Sequence, residues 1–448
     1  MRIVILGAGE VGSEIARQMA NEKKDVILIE KDPMRAKAVA SSMAVTVIDG
    51  EGSDPEVLKE AGVGSADIFI AATTLDEINL IACFLVAAEY DVPVKIARVR
   101  NVQYSESRAF DDSKISGVDF LVNPDQEAAI DIVQTVEQGA TSTVTVFENA
   151  SDIQLREFFI DEDSEMKDKS VKDIRMNLKE NFVITGVVHK GELTIPNGDY
   201  IVQEDDQIYV VAQKRTFHRL SKIFGVKNNK LKKILIVGGT TIGISVADLL
   251  LSRGRSVMVL DKDYEHCKYL AELLPEALIL NGDVSDKQLY NDENIAGADA
   301  IVTCTSNEEI NILGGLYAKS LGVKRSIALV EKTSYITLAS SIGINSTVSP
   351  KFCAINSISK YIRKGNVRSV HSIFDGNAEA IEATLSEKSS LINLALKDIQ
   401  LPANCLIAAI NRKRKSIIPD GNFVLKAGDS VVFFISRDSV PNLEGLLT

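Results

Sequence analysis

The chain opens on MRIVILGAGEVGSEIARQMA (residues 1–20), and this stretch decides the fold class. An apolar, β-branched run from Ile3 to Leu6 leads into Gly7-Ala8-Gly9-Glu10-Val11-Gly12. Behind it, Ile15, Ala16 and Met19 recur at helical spacing. Strand, glycine-rich turn and helix in that order form the start of a βαβ nucleotide-binding unit. Gly7 permits the tight turn, and Gly12 lets the helix approach the strand. Gly9 leaves no Cβ between a pyrophosphate and the helix N-terminus, where free N–H groups and the helix dipole favour negative charge. The next apolar run, DVILIE (25–30), ends on Glu30, about 18 residues further on. A carboxylate there accepts bonds from both ribose hydroxyls and repels a 2′-phosphate, so NAD(H) is expected over NADP(H).

Sliding the chain on itself by about 230 residues reveals a duplication. GAGEVG (7–12) meets GGTTIG (238–243), and VILIEKD (26–32) meets VMVLDKD (257–263). AATTLDEINLI from Ala71 meets TCTSNEEINIL from Thr303. The correspondence runs past the nucleotide-like part: LTIPNGDYIVQEDDQIYVVAQ (193–213) meets SIIPDGNFVLKAGDSVVFFIS (416–436). The chain is therefore two copies of a two-part unit.

In the first part of each unit, near-continuous apolar runs alternate with stretches of helical period. RIVILGA, DVILIE, AVTVID, ADIFIAAT, PVKIARV and DFLVN read as strands. That pattern predicts an α/β fold, a Rossmann-like doubly wound parallel sheet covered by helices on both faces. The second parts are strand-rich with one short helical run, KSVKDIRM, and turns at PNGD and PDG, which predicts small α+β modules. The expected division is 1–125 and 231–350 for the two Rossmann-like domains, with 140–225 and 366–448 for the modules. A polar link, FGVKNNKLKK from Phe224, separates the halves.

Further candidates lie at the carboxyl ends of the strands, where such sheets bind ligands. Thr73 and Thr74 could reach the ribose or phosphate, or could cap the helix beginning at LDEINL. Arg98 and Arg100 alternate along KIARVRN, suited either to phosphates or to salt bridges. In the second copy Thr240 replaces the middle glycine, adding a Cβ where a pyrophosphate approaches the backbone. Asp261 keeps the ribose carboxylate, Thr305 and Ser306 keep the hydroxyls, and Leu329 and Glu331 stand in place of the arginines. The second site either binds a less phosphate-rich ligand more weakly or serves as scaffold.

Composition narrows the function classes. A net charge of −12 and a pI near 5.1 speak against broad nucleic-acid binding. The longest apolar run, Leu80 to Ala88, is far below the ~20 residues that cross a bilayer. The N-terminus reads as a strand and not as a signal peptide, so a cytoplasmic protein is expected, free or peripheral on the membrane. Five scattered cysteines and four dispersed histidines show no metal-ligand spacing. The basic run Arg412 to Lys415 reads as a solvated hairpin turn, with anionic lipid as the alternative contact.

Taken together, GAGEVG, IEKD, TTLDEIN and IARVR, twice over and each followed by a small module, resemble the RCK family (KTN plus TrkA-C domains). The resemblance covers essentially the whole chain. The tandem, membrane-free form is similar to the cytoplasmic regulatory subunits of bacterial and archaeal Trk potassium-uptake systems. The resemblance implies a homo-oligomeric ring, a tetramer or octamer, beneath a membrane-embedded potassium transporter subunit of the TrkH/TrkG kind. It implies that bound NAD(H), ATP or ADP alters ring shape and gating. Nucleotide contacts would fall on Gly7, Ala8, Gly9, Glu10, Val11, Gly12, Glu30, Thr73, Thr74 and Arg98, with Glu51 against the adenosine. Their second-copy counterparts are Gly238, Gly239, Thr240, Thr241, Ile242, Gly243, Asp261, Thr305 and Ser306. Arg98, or Arg100 from a neighbouring subunit, would sense the terminal phosphate that ATP has and NAD(H) lacks. The rival class is an NAD-dependent oxidoreductase. It would need a positioned acid or base near the nicotinamide and a substrate domain, and neither is visible.

Overall fold

The computed structural model describes all residues except 106, 111–115, 138–143, 148–151, 161–163, 179, 190–191, 225–230, 363–366, 374–376, 414 and 448. Most of the polar link between the halves, and Arg414 of the basic run, lie outside the described residues. The chain divides into two compact units, residues 1–128 with 350–363, and residues 129–349 with 364–448.

In the first unit, β1 (Arg2–Leu6), β2 (Asp25–Glu30), β3 (Thr46–Asp49), β4 (Ile68–Ala71), β5 (Val94–Arg98) and β6 (Phe120–Val122) form one sheet in the order β3-β2-β1-β4-β5-β6. Every pairing is parallel, with Ile3 beside Val26 on one flank and Ile68 on the other. All six strands read from the apolar runs are present. Parallel strands need crossover helices, which bury both faces of the sheet. The chain reverses its winding between β1 and β4, which opens a crevice at their carboxyl ends.

One sheet face is closed partly by the helix Glu10–Asn21 and partly by a helix from far along the sequence, Pro350–Ile362. Ile355, Ile358 and Ile362 pack among Ile3, Ile15 and Met19, and Tyr361 stacks on Phe120 with ring centroids 3.8 Å apart. Ser359 Oγ donates to Gln18 Oε1 across the same contact. The first domain is thus completed by a segment from the second half of the chain. Ile358→Ala is expected to destabilise the first domain by about 3 kcal/mol, the usual cost of truncating a fully buried isoleucine. Calorimetric unfolding of the variant measures it, and an unchanged melting profile would show that the helix adds nothing.

The second unit holds the counterpart sheet: β12 (Lys233–Val237), β13 (Ser256–Asp261), β14 (Leu278–Asn281), β15 (Ala300–Thr303), β16 (Arg325–Leu329) and β17 (Ser346–Val348), in the order β14-β13-β12-β15-β16-β17. It also holds both small modules. The first runs β7 (Val144–Val146), β8 (Ile153–Phe159), β9 (Phe182–His189), β10 (Glu192–Thr194) and β11 (Gln207–Gln213), ordered β10-β9-β11-β8-β7. The second runs β18 (Val367–Ile373), β19 (Ala378–Thr384), β20 (Cys405–Arg412), β21 (Lys415–Ile417) and β22 (Ser430–Ser436), ordered β18-β19-β22-β20-β21. Read from the other edge, that is the same antiparallel topology.

The modules pack sheet to sheet. Ile153, Leu155, Tyr209 and Val211 of one meet Ala378, Ala380, Val432 and Phe434 of the other. Each module pins its long hairpin to a buried aspartate, with different donors. Asp206 accepts from Tyr200 Oη (3.0 Å) and lies 2.6 Å from His189 Nδ1, whereas Asp429 takes both arms of the Arg412 guanidinium. Arg412 and Lys415 of the basic run pair antiparallel across β20 and β21, as a hairpin requires, and Arg412 is held in an ion pair with Asp429.

Candidate functional site

The crevice between β1 and β4 opens into a cleft whose walls include Gly7, Gly9, Glu30, Lys31, Arg35, Glu51, Thr73 and Thr74. Gly7 sits at φ +98°, and a Cβ there would come within 3.0 Å of the Thr73 amide nitrogen. At Gly12 a Cβ would fall 2.0 Å from the Gly7 carbonyl oxygen, so only glycine lets the helix start this close to the turn. Gly9 differs from both, because a Cβ there would meet nothing within 4 Å. Its missing side chain leaves open space in front of the helix Glu10–Asn21, whose N-terminus has no side-chain cap. Helix N-termini carry unsatisfied N–H groups and partial positive charge, and an uncapped one facing a cleft suits an anion.

Glu30 stands at the end of β2, 5% exposed. Its Oε2 accepts from the Ala8 amide at 2.6 Å and its Oε1 from the Asp32 amide at 3.0 Å. Two backbone donors hold the carboxylate in register with the glycine turn. Arg35 Nη1 lies 4.0 Å from Glu30 Oε2, and Lys31 lies 3.7 Å from Glu51 on the rim. The Glu30 end of the cleft therefore carries acids and bases side by side.

The Thr73 hydroxyl is committed to its own loop. It accepts from the Leu75 amide and donates to Asn79 Oδ1 at 2.7 Å. The helix that follows is capped by Leu75, with no side-chain bond, so neither threonine is its N-cap. Thr74 is exposed at the cleft wall. Asn79, which sequence reasoning missed, organises this loop. It is fully buried and uses all four bonding positions, accepting from Thr73 N and Oγ1 and donating to the Thr73 and Arg98 carbonyls. Asn311 makes the same four bonds with Thr305 and Leu329 in the second copy. The signal was available: both copies keep Glu-Ile-Asn in DEIN and EEIN, four to six residues after a shared threonine.

Arg98 is 7% exposed and donates from Nη1 to the Thr73 carbonyl at 2.8 Å, so it buttresses the Thr73 loop. Arg100 lies 3.9 Å from Asp125, whose carboxyl burial pushes up while Arg100 and Arg98 oppose the shift. Among the described residues that line the cleft there is no histidine. Burial raises the thiols of Cys83 and Cys304, the latter to about 12, so neither offers a thiolate nucleophile near neutrality.

The second copy repeats part of this frame. Gly238 has φ +100°, Asp261 accepts from the Gly239 amide at 2.8 Å and the Asp263 amide at 3.0 Å, and Thr305 repeats the Thr73 loop. It departs at the helix start. Thr240 is the N-cap, and its hydroxyl accepts from the Gly243 amide.

Comparison with known proteins assigns this frame. The TrkA-N domain model matches residues 3–124 and 234–350, and the TrkA-C domain model matches residues 155–225 and 380–448. The chain belongs to the TrkA family. It is 31% identical over 453 residues to the Trk system potassium uptake protein TrkA homolog 1 of Methanosarcina mazei, covering 99% of each chain. It is 29% identical over 439 residues to Trk system potassium uptake protein TrkA of Halomonas elongata, covering 97% of this chain and 96% of that one. These TrkA relatives are named for potassium uptake. Among solved structures, the GsuK RCK domain superposes with a TM-score of 0.58 at 16% identity, covering 100% of this chain and 94% of that one. The GsuK channel bound to NAD gives 0.58 at 17% identity, covering 100% and 78%. At these identities the likeness is one of fold, and it spans all four TrkA domains.

Proposed function

We propose that this chain is the nucleotide-responsive regulatory subunit of a Trk-type potassium-uptake system. The observation that carries the reading is the uncapped helix N-terminus at Gly9, beside the anchored Glu30 carboxylate on the wall of the same cleft, in a chain built as TrkA-N plus TrkA-C twice over. The ligand is NAD(H), with ATP or ADP as alternatives in the same cleft. Phosphates sit at the helix N-terminus and the adenosine ribose on Glu30, with Gly7, Ala8, Gly9, Glu10, Val11 and Gly12 in the cradle. Thr73, Thr74, Arg98 and Glu51 frame the rest. The second cleft, around Gly238 to Gly243, Asp261, Thr305 and Ser306, is a site of lower affinity. The domain division 1–125, 140–225, 231–350 and 366–448 follows the repeat.

Regulation requires unequal binding to two states of an assembly, since a ligand with equal affinity for both shifts nothing. The assembly is a homo-oligomeric ring, tetrameric in the simplest case, docked on the cytoplasmic face of a membrane-embedded TrkH/TrkG-like potassium transporter. Among the described residues no helix is long and apolar enough to cross a membrane, so in this reading the pore belongs to the partner. Nucleic acid is not a partner.

Calorimetric titration with NADH, NAD, ATP and ADP tests the first half of the reading. Rubidium influx into vesicles carrying the transporter, with and without the chain, tests the second. Saturable binding and a nucleotide-dependent change in influx are expected. Influx indifferent to the chain at every nucleotide concentration would remove the regulatory role.

A further inference from the structure

At the helix start the two copies differ at one pair of residues that share a backbone conformation. Gly9 has φ −69° and ψ −174°, and Thr240 has φ −67° and ψ 170°. Each precedes a 12-residue helix at the end of the first strand of its sheet, and each helix keeps its close glycine contact, Gly12 or Gly243. The surrounding frame is equally conserved, from the positive φ of Gly7 and Gly238 to the carboxylates of Glu30 and Asp261 on the turn amides. The side chain at 240 is therefore a local difference at the helix N-terminus itself, where Gly9 has none.

That side chain has both its bonding directions committed. Thr240 Oγ1 donates its proton to the Cys304 carbonyl at 2.8 Å, at the buried end of the fourth strand of the sheet. The same oxygen accepts from the Gly243 amide at 3.2 Å. Three consequences follow for a phosphate approaching this helix. One N–H group in the helix's first turn is already satisfied. The hydroxyl has no proton left to give, so what it presents to a phosphate oxygen is a lone pair. The Cβ and its methyl fill the place that is open space at Gly9.

We infer that Thr240 is the specificity-determining residue of the second cleft. It caps its own helix with the group that would otherwise meet a phosphate, so a phosphate-bearing nucleotide is held tightly only in the first cleft, one per chain. The inference rests on the proposed nucleotide reading of the first cleft and adds which residue makes the two clefts unequal. The chemistry excluded is that of a nucleoside diphosphate or dinucleotide bridging to the helix N-terminus. The ribose-facing Asp261 is untouched by the exclusion, so a nucleoside without phosphate is not barred.

Exchanging the two side chains tests it in the full-length protein, with NADH as the probe and calorimetry reading both stoichiometry and affinity. The parent is expected to bind one NADH per chain tightly. Thr240→Gly is expected to bind two, its second cleft tightened by about 10- to 100-fold, the worth of one charge-assisted hydrogen bond. Thr240→Ser keeps the hydroxyl and should stay at one. Gly9→Thr, placed in a backbone conformation Thr240 already occupies, should lose the tight site while its melting temperature holds or rises, because it gains the cap. A folded Thr240→Gly that still binds one NADH overturns the inference, as does a parent that binds two with equal affinity. A Gly9→Thr variant that binds like the parent overturns it independently of whether Thr240→Gly folds. A parent that binds none refutes instead the nucleotide reading on which the inference rests.

Discussion

Gly12→Ala is expected to abolish tight nucleotide binding and lower the melting temperature of the first domain, whereas Gly243→Ala lowers stability and leaves that binding intact. The added Cβ would lie 2.0 Å from the Gly7 carbonyl oxygen in one case and 2.1 Å from the Gly238 carbonyl oxygen in the other. Both obstacles are backbone, so no side chain can swing aside. Either the helix moves away from the sheet or the turn opens. Overpacking of this kind costs about 3 kcal/mol at its upper end, on the order of 10 °C in a domain of this size. In the first copy the displaced helix also carries the N–H groups that would hold the phosphates, and hydrogen bonds to anions weaken steeply with distance and angle. Calorimetry on both variants separates the effects. If Gly12→Ala bound NADH as tightly as the parent, the glycine turn could not be the phosphate site.

The paired substitutions work as a control because the duplication is visible in the sequence and is repeated strand for strand in the structure. A parallel sheet buried on both faces leaves near-continuous apolar runs, so ADIFIAAT or KKILIVGG announces a strand without any knowledge of its neighbours. The glycine turn was equally plain, since its residues are dictated by local geometry: a positive φ at 7 and a backbone contact at 12.

What stayed hidden depends on contacts far apart in sequence. PKFCAINSISKYI shows apolar residues at Phe352, Ile355 and Ile358, enough to say that a face is buried. Nothing in that spacing says it is buried against Ile3 and Ile15, some 340 residues earlier. Arg98 was equally ambiguous. Its position at a strand end suits a phosphate, yet its Nη1 turns back to the Thr73 carbonyl, a partner that only the packed loop supplies. Thr73 illustrates the same limit: a hydroxyl at a strand end was legible, and its commitment to Asn79 was not. The inequality of the clefts was half legible. The extra Cβ of Thr240 could be read from the sequence, but the Cys304 carbonyl that takes its proton could not.

Glu30→Ala is expected to weaken NADH binding by about 100-fold and to reverse the preference between NADH and NADPH. Two hydrogen bonds from ribose hydroxyls to a carboxylate, each at the charged end of the usual range, account for a loss of that size. The reversal follows from the neighbour. Arg35 Nη1 now sits 4.0 Å from Glu30 Oε2, on the wall of the same cleft. With the carboxylate gone, the charge that repels a 2′-phosphate is gone too, and a half-exposed guanidinium is left to pair with it. Glu30→Ala with Arg35→Ala should then lose NADH affinity without gaining any for NADPH. Asp261→Ala is the matched control. It removes the same two backbone contacts in the second copy, from Gly239 and Asp263, and should leave tight binding in the first cleft unchanged. Competition titrations of NADH against NADPH on the four proteins decide the matter. A Glu30→Ala variant that kept the parent's affinity would place the ribose elsewhere than on the end of β2.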